Sequence, residues 1–191
     1  FNNFSFYLIL IFFLIAMFYL YPLLEDMKLN NQGIDQDNCY VDLIDNLLTY
    51  SKLIYMKTYL GNPCSTGILG FLFYFPVLFW KNYFIIIPII FLLLFNYSLK
   101  IELQNIKLSN FLTYILIFNL VFLELASSGS DFISISISYI VGSIFLKLSI
   151  KKNSNFYLLI SFLFLLFFFG SRINLMILIL PLAFVFFIKF K

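Results

Sequence analysis

Asp35 and Asp37, two carboxylates separated by Gln36 and followed three residues later by Tyr40, form the densest chemical grouping in the sequence. Beside a membrane such a pair can hold a divalent cation, or one member can serve as a general base if burial raises its pKa. The same residues also read as a helix start, with Asp37 at an N-cap position and its charge favouring the helix dipole, and residue type alone favours that simpler reading. Arg172, in Gly170-Ser171-Arg172 with Asn174 close behind, is the single arginine of a chain that otherwise uses lysine. Its planar, always-charged fork suits phosphate or carboxylate, whereas a plain loop charge at a helix hairpin is the competing reading.

Two further runs are rich in hydroxyls and turn formers. Thr58 to Gly67 contains Asn62, Ser65 and Thr66 among Gly and Pro. Backbone amides freed by the break, together with those side chains, can hold a phosphate or a sugar. Ser127 to Asp131 offers either a polar clamp or a turn capped by Ser130 or Asp131. Glu124 lies just inside the preceding apolar stretch, where a carboxylate needs a partner. Cys39 and Cys64 are too few to read as a framework, so a bridge is allowed but not favoured. The absence of histidine excludes His-ligated zinc, bis-His haem and a His general base.

The elements that must position these residues are helices in a membrane. The chain has 191 residues, 63% hydrophobic and 11% charged, against about 25% charge in an ordinary soluble domain. Its apolar residues run on without alternation, which excludes an outer-membrane barrel and leaves transmembrane helices. The expected fold is all-α, a polytopic bundle in one transmembrane domain over residues 1–191. Residues 1–24 form the first span, 25–63 an acidic outer loop, and 64–191 the remaining spans. The loop holds six of the nine acidic residues and, with Val41, Ile44, Leu47 and Leu48 at helical spacing, an amphipathic surface helix. The later apolar segments are Asn62–Trp80, Tyr83–Ser98, Leu108–Leu123, Phe132–Leu146, Asn155–Gly170 and Ile173–Ile188, about six to seven in all. The first residue is Phe, which suggests a processed start or a piece of a longer reading frame.

Lysines mark the cytoplasmic face. Lys100 and Lys107, then Lys147, Lys151 and Lys152, then Lys189 and Lys191 alternate with loops holding Asp131 and Arg172, which are thereby assigned to the outer side. If Asn62–Trp80 and Tyr83–Ser98 both crossed, the acidic loop would face the cytoplasm. Gly61, Pro63, Gly67, Gly70, Pro76 and Pro88 favour irregular helices there, so a re-entrant or partly inserted segment is preferred and the acidic loop joins the outer face.

The run GIDQDNCYVDLIDNLLTYSKLIYMKTYLGNPCSTGILGFLFYFP resembles the first extracytoplasmic loop of GT-C type polytopic glycosyltransferases, particularly the bacterial mannosyltransferase-like group with family 87 character. SGSDFISISI and FFGSRINLMILILP are also similar to segments of that family. The resemblance implies transfer of a sugar from a polyprenyl-phosphate donor to a glycan or lipid acceptor outside the cell's inner (plasma) membrane. Asp37, or else Asp35, would deprotonate the acceptor hydroxyl and Arg172 would hold the donor phosphate, with Tyr40, Asn62 and Asp131 as substrate-binding residues. The cofactor is left open, a divalent cation being possible, and no nucleic-acid partner is expected. Two alternatives stand beside this reading. One is an O-antigen polymerase or ligase, which usually places its large loop late in the chain. The other is a non-catalytic subunit of an organellar respiratory or transport complex.

Overall fold

A chain this apolar must satisfy its backbone within each element, and helices do so. The computed structural model describes residues 3–28, 36–52, 57–58, 60–80, 83–172 and 175. All regular elements among them are helical: α1 (Asn3–Lys28), α2 (Gln36–Tyr50), α3 (Ile68–Tyr74) with a 3-10 turn (Phe75–Leu78), α4 (Tyr83–Leu103), α5 (Ile106–Ile117), α6 (Leu120–Ser127), α7 (Phe132–Lys152) and α8 (Asn155–Ser171). Two isolated β-bridges, Lys57 with Pro63 and Thr66 with Arg172, complete the backbone pairing. Among the described residues, three helical stretches are long and apolar enough to cross a membrane: Phe4–Met27, Tyr83–Leu103 and Phe132–Lys152. The α5–α6 pair, bent by 69°, would make a fourth, while α8 is apolar but has only 17 residues.

Local chemistry sets the breaks. Asn105 caps α5 by accepting from the Leu108 amide at 3.1 Å. Asn119 caps α6 in the same way through Phe122, also at 3.1 Å, so the expected segment Leu108–Leu123 divides into two helices at a side chain that prefers helix starts to helix interiors. Asn153, left-handed at φ 47°, closes α7. Pro88, expected to disturb its segment, instead lies within an uninterrupted α4. It is the sixth residue of α4, past the first turn, so the Phe84 carbonyl loses its helical donor, a break that membrane helices tolerate where neighbouring groups satisfy the freed carbonyl. The expected segment Asn62–Trp80 is no span, because only α3 and the 3-10 turn are helical there. The expected last segment, Ile173–Ile188, lies almost wholly outside the described residues.

The helices run alternately between two ends. At one end the Lys100 ammonium sits 5.3 Å from the Phe6 ring and Lys147 pairs with Glu102. At the other, Tyr21 near the close of α1 stacks on Phe84 near the start of α4, and Tyr74 of α3 stacks on the same Phe84. α1, α4, the α5–α6 pair, α7 and α8 each connect these ends, while α2 and α3 stay near the second. The α4–α5 hairpin is tied by Asn96, whose amide donates to Asn110 and Thr113, and membrane helices use such polar contacts as glue. α7 and α8 meet where Gly142 leaves room for Leu165 and its carbonyl accepts from Ser161 at 2.8 Å. The helix α2 lies in the expected loop, but the apolar stripe expected through Val41, Ile44, Leu47 and Leu48 is not the buried one, which runs through Tyr40, Leu43 and Ile44 and leaves Leu48 exposed. Leu43 and Ile44 pack on Phe71 of α3.

α3 approaches α8 backbone to backbone. The Gly67 amide donates to the Ser171 carbonyl at 2.7 Å, and a Cβ on Gly67 would collide with the Gly170 carbonyl oxygen. Gly67→Ala is therefore expected to cost about 1–3 kcal/mol through overpacking. Gly61→Ala meets open space and only strains a positive φ, costing about 1 kcal/mol. Thermal unfolding in detergent ranks the two, and equal midpoints would contradict this packing.

Candidate functional site

Four separated stretches of chain converge at the end of the bundle away from Lys100 and Lys147. Asp131 stands at the start of α7 and is completely buried. Of the two readings of this turn, a polar clamp or a cap by Ser130 or Asp131, the Asp131 side chain makes no cap bond. Its carboxylate instead accepts a fork from Arg172, which follows α8: Nε to Oδ2 at 2.9 Å and Nη2 to Oδ1 at 2.5 Å. Arg172 also donates through Nη1 to Ser65 Oγ at 3.0 Å, and its carbon lies 5.1 Å from the centre of the Phe132 ring. Tyr40, brought in by α2, donates its hydroxyl to Asp131 Oδ2 at 2.6 Å. The Tyr40 ring stacks on Tyr74 at 4.3 Å, and the Tyr74 hydroxyl shares a 2.7 Å hydrogen bond with Ser134.

The electrostatics follow from burial. Burial, then the facing Asp131 carboxylate, push the Tyr40 phenol well above its ordinary range, so it remains a donor. For Arg172, burial works against the charge, but hydrogen bonding and attraction to Asp131 more than offset it and hold the guanidinium above its usual value. A buried carboxylate is stable only if paired, and the fork with its side chain 15% exposed meets that condition.

Asp37 lies in the first turn of α2 and is buried. Its carboxylate accepts from the Asn38 amide at 3.0 Å and, at the long distance of 3.5 Å, from the Tyr21 hydroxyl. It sits against the turn before Asp131, since a Cβ on Gly129 would lie 3.3 Å from Asp37 Oδ2 and 3.1 Å from the Tyr21 ring. Gly129 has φ +72°, a conformation that favours glycine, and its neighbours leave little room for a side chain. Of the residues proposed from sequence, Asp37, Tyr40, Asp131 and Arg172 therefore gather in one place. Asn62 does not join them. It is exposed in the turn from Lys57 to Pro63, its amide donating to Thr58 Oγ1 at 3.2 Å. Asp35 and Asn174 lie outside the described residues.

Sequence reasoning missed Tyr21, Tyr74 and Ser134, which read as parts of apolar spans. The disfavoured Cys39–Cys64 bridge is present and ties α2 to the stretch leading into α3. Glu124, expected to need a partner, is exposed on α6. No group of three or more potential metal-ligating side chains gathers among the described residues. No family model, curated protein or solved structure matches the chain.

Asp131→Asn strands a buried guanidinium and is expected to cost about 3–5 kcal/mol, most of which returns in the double variant Asp131→Leu/Arg172→Met. Thermal unfolding of the three proteins checks this, and a double variant less stable than Asp131→Asn would refute it. The bridge spans 25 residues, so Cys39→Ser/Cys64→Ser is expected to lose about 3 kcal/mol. Maleimide labelling of the native chain should require prior reduction.

Proposed function

We propose that this chain is a membrane glycosyltransferase, or part of one, that passes a sugar from a polyprenyl-phosphate donor to a glycan or lipid acceptor on the outer side of a cell's plasma membrane. The observation that carries the reading is the meeting of Asp37, Tyr40, Asp131 and Arg172 at the end of the bundle opposite Lys100, Lys147, Lys151 and Lys152. Lysines favour the cytoplasmic face, and a disulfide belongs to an oxidising compartment, so both considerations support an outward-facing site. The full reading has about six to seven hydrophobic segments, with α2 as the helix of the first outer loop.

In this mechanism Asp37 accepts the proton of the acceptor hydroxyl. The acceptor oxygen forms a bond to the anomeric carbon as the carbon–oxygen bond to phosphate breaks, with inversion. The electron pair leaves with the polyprenyl phosphate, whose charge is met by Arg172. The guanidinium has five N–H groups, and the bonds to Asp131 and Ser65 engage one on each of its three nitrogens. Tyr40 and Asp131 orient that guanidinium and do not touch the reacting atoms. Asp37 is assigned as the base rather than Asp131 because the Asp131 carboxylate is held in a charged fork with Arg172.

Membranes carrying the chain, supplied with a labelled polyprenyl-phosphate sugar, test this. Asp37→Asn preserves shape and is expected to lower transfer roughly 10²–10⁴-fold while the Cys39–Cys64 bridge still forms. Undiminished transfer would remove Asp37 as the base. No transfer with any donor would favour a non-catalytic subunit.

A further inference from the structure

We propose that α3 and the 3-10 turn after it form an elbow that dips partway into the membrane on the site's side, resting its outer face on lipid with Trp80 at the headgroup boundary. The inference is independent of the transferase reading. Seven helical residues rise only about 10 Å, far short of the roughly 30 Å hydrocarbon core. The elbow leaves the site end at Gly67, which is bonded to Ser171, and returns to it at Tyr83, where α4 begins. Between these points the Phe73 ring reaches inward, from 6.2 Å to Tyr83 at the start of α4 to 5.8 Å from Phe91 and 4.8 Å from Phe167. Phe91 lies eight residues into α4, about 12 Å along its axis.

The two faces of the elbow differ. Gly70, Phe71 and Tyr74 are buried against α2 and α8, whereas Ile68, Leu72, Phe79 and Trp80 are exposed, Phe79 to 85%. Such a stripe is unfavourable in water. Irregular backbone at membrane depth is tolerated only when its polar groups are satisfied by protein. The amides of Gly67, Phe71, Phe79, Trp80 and Tyr83 all donate to backbone carbonyls, and Pro76 has no amide to satisfy. Trp80 stands three residues before a membrane-length helix, where an indole can bury its ring and keep its N–H among headgroups. Position, length and bonding together select lipid as the occupant of this face.

Trp80 is the only tryptophan, so its fluorescence reports this site alone. The full chain is reconstituted in phosphatidylcholine vesicles containing lipids brominated at shallow or deep acyl positions, and aqueous acrylamide is added separately. Trp80 should lose most of its emission to shallow bromines and little to acrylamide. In Trp80→Phe/Leu72→Trp the reporter should be quenched more strongly by deeper bromines, and an intact Cys39–Cys64 bridge verifies folding. Quenching of both reporters by acrylamide and not by bromolipid would overturn the proposal. Insensitivity to both quenchers, the signature of a face covered by protein, would overturn it too.

Discussion

A carboxylate with no access to water must be neutralised where it stands, and Asp131 is such a group. Its pairing with Arg172 fixes where α7 begins relative to where α8 ends. The remaining donors then fix the rest, since Tyr40 ties α2 to the same oxygen and Ser65 ties the approach to α3 to the same guanidinium. Close packing around this centre leaves little freedom. Gly67 and Gly70 bring α3 against the end of α8, and Gly129 lets Asp37 lie against the turn before Asp131. The charged pair does not by itself favour folding, because two desolvated ions roughly offset their attraction. It specifies which of many similar apolar helices must meet.

Some of this was legible in the residues. The low charge count placed the chain in helices, and the lysines from Lys100 to Lys152 lie at the end of the bundle away from Arg172, while Lys28, Lys52 and Lys57 do not. The isolated arginine drew attention because its geometry differs from that of every other cation in the chain. Asp131 was noticed, but as a cap or a clamp. Its partner is 41 residues away, and no periodicity encodes a contact between opposite ends of two helices.

Other features were hidden for definable reasons. Leu108 to Leu123 is apolar throughout, and a single Asn119 must announce the break. Pro88 looked disruptive, yet α4 continues through it with one helical bond fewer. Tyr74 and Ser134 are embedded in apolar sequence and become polar partners only when α3 and α7 are side by side. Two cysteines could not reveal their bridge, since pairing depends on the turn that returns residues 57–63 toward α2. The proposed function rests on resemblance and convergence together, and sequence alone supplied only the resemblance.

The α7–α8 hairpin has an implication for the order of assembly. Asp131 is separated from Arg172 by 41 residues, but from Tyr40 by 91, and Ser65 from Arg172 by 107. Closing a longer loop costs more entropy, and Gly142 with Leu165 already aligns the two helices of the hairpin. The nearer contact therefore forms first and presents a finished surface to the more distant segments. α2 is synthesised early, yet the group its Tyr40 binds is completed only when Arg172 has emerged. The Cys39–Cys64 bridge can hold α2 early, whereas a ribosome that stopped short of residue 172 would leave Tyr40 facing an Asp131 carboxylate with no guanidinium beside it.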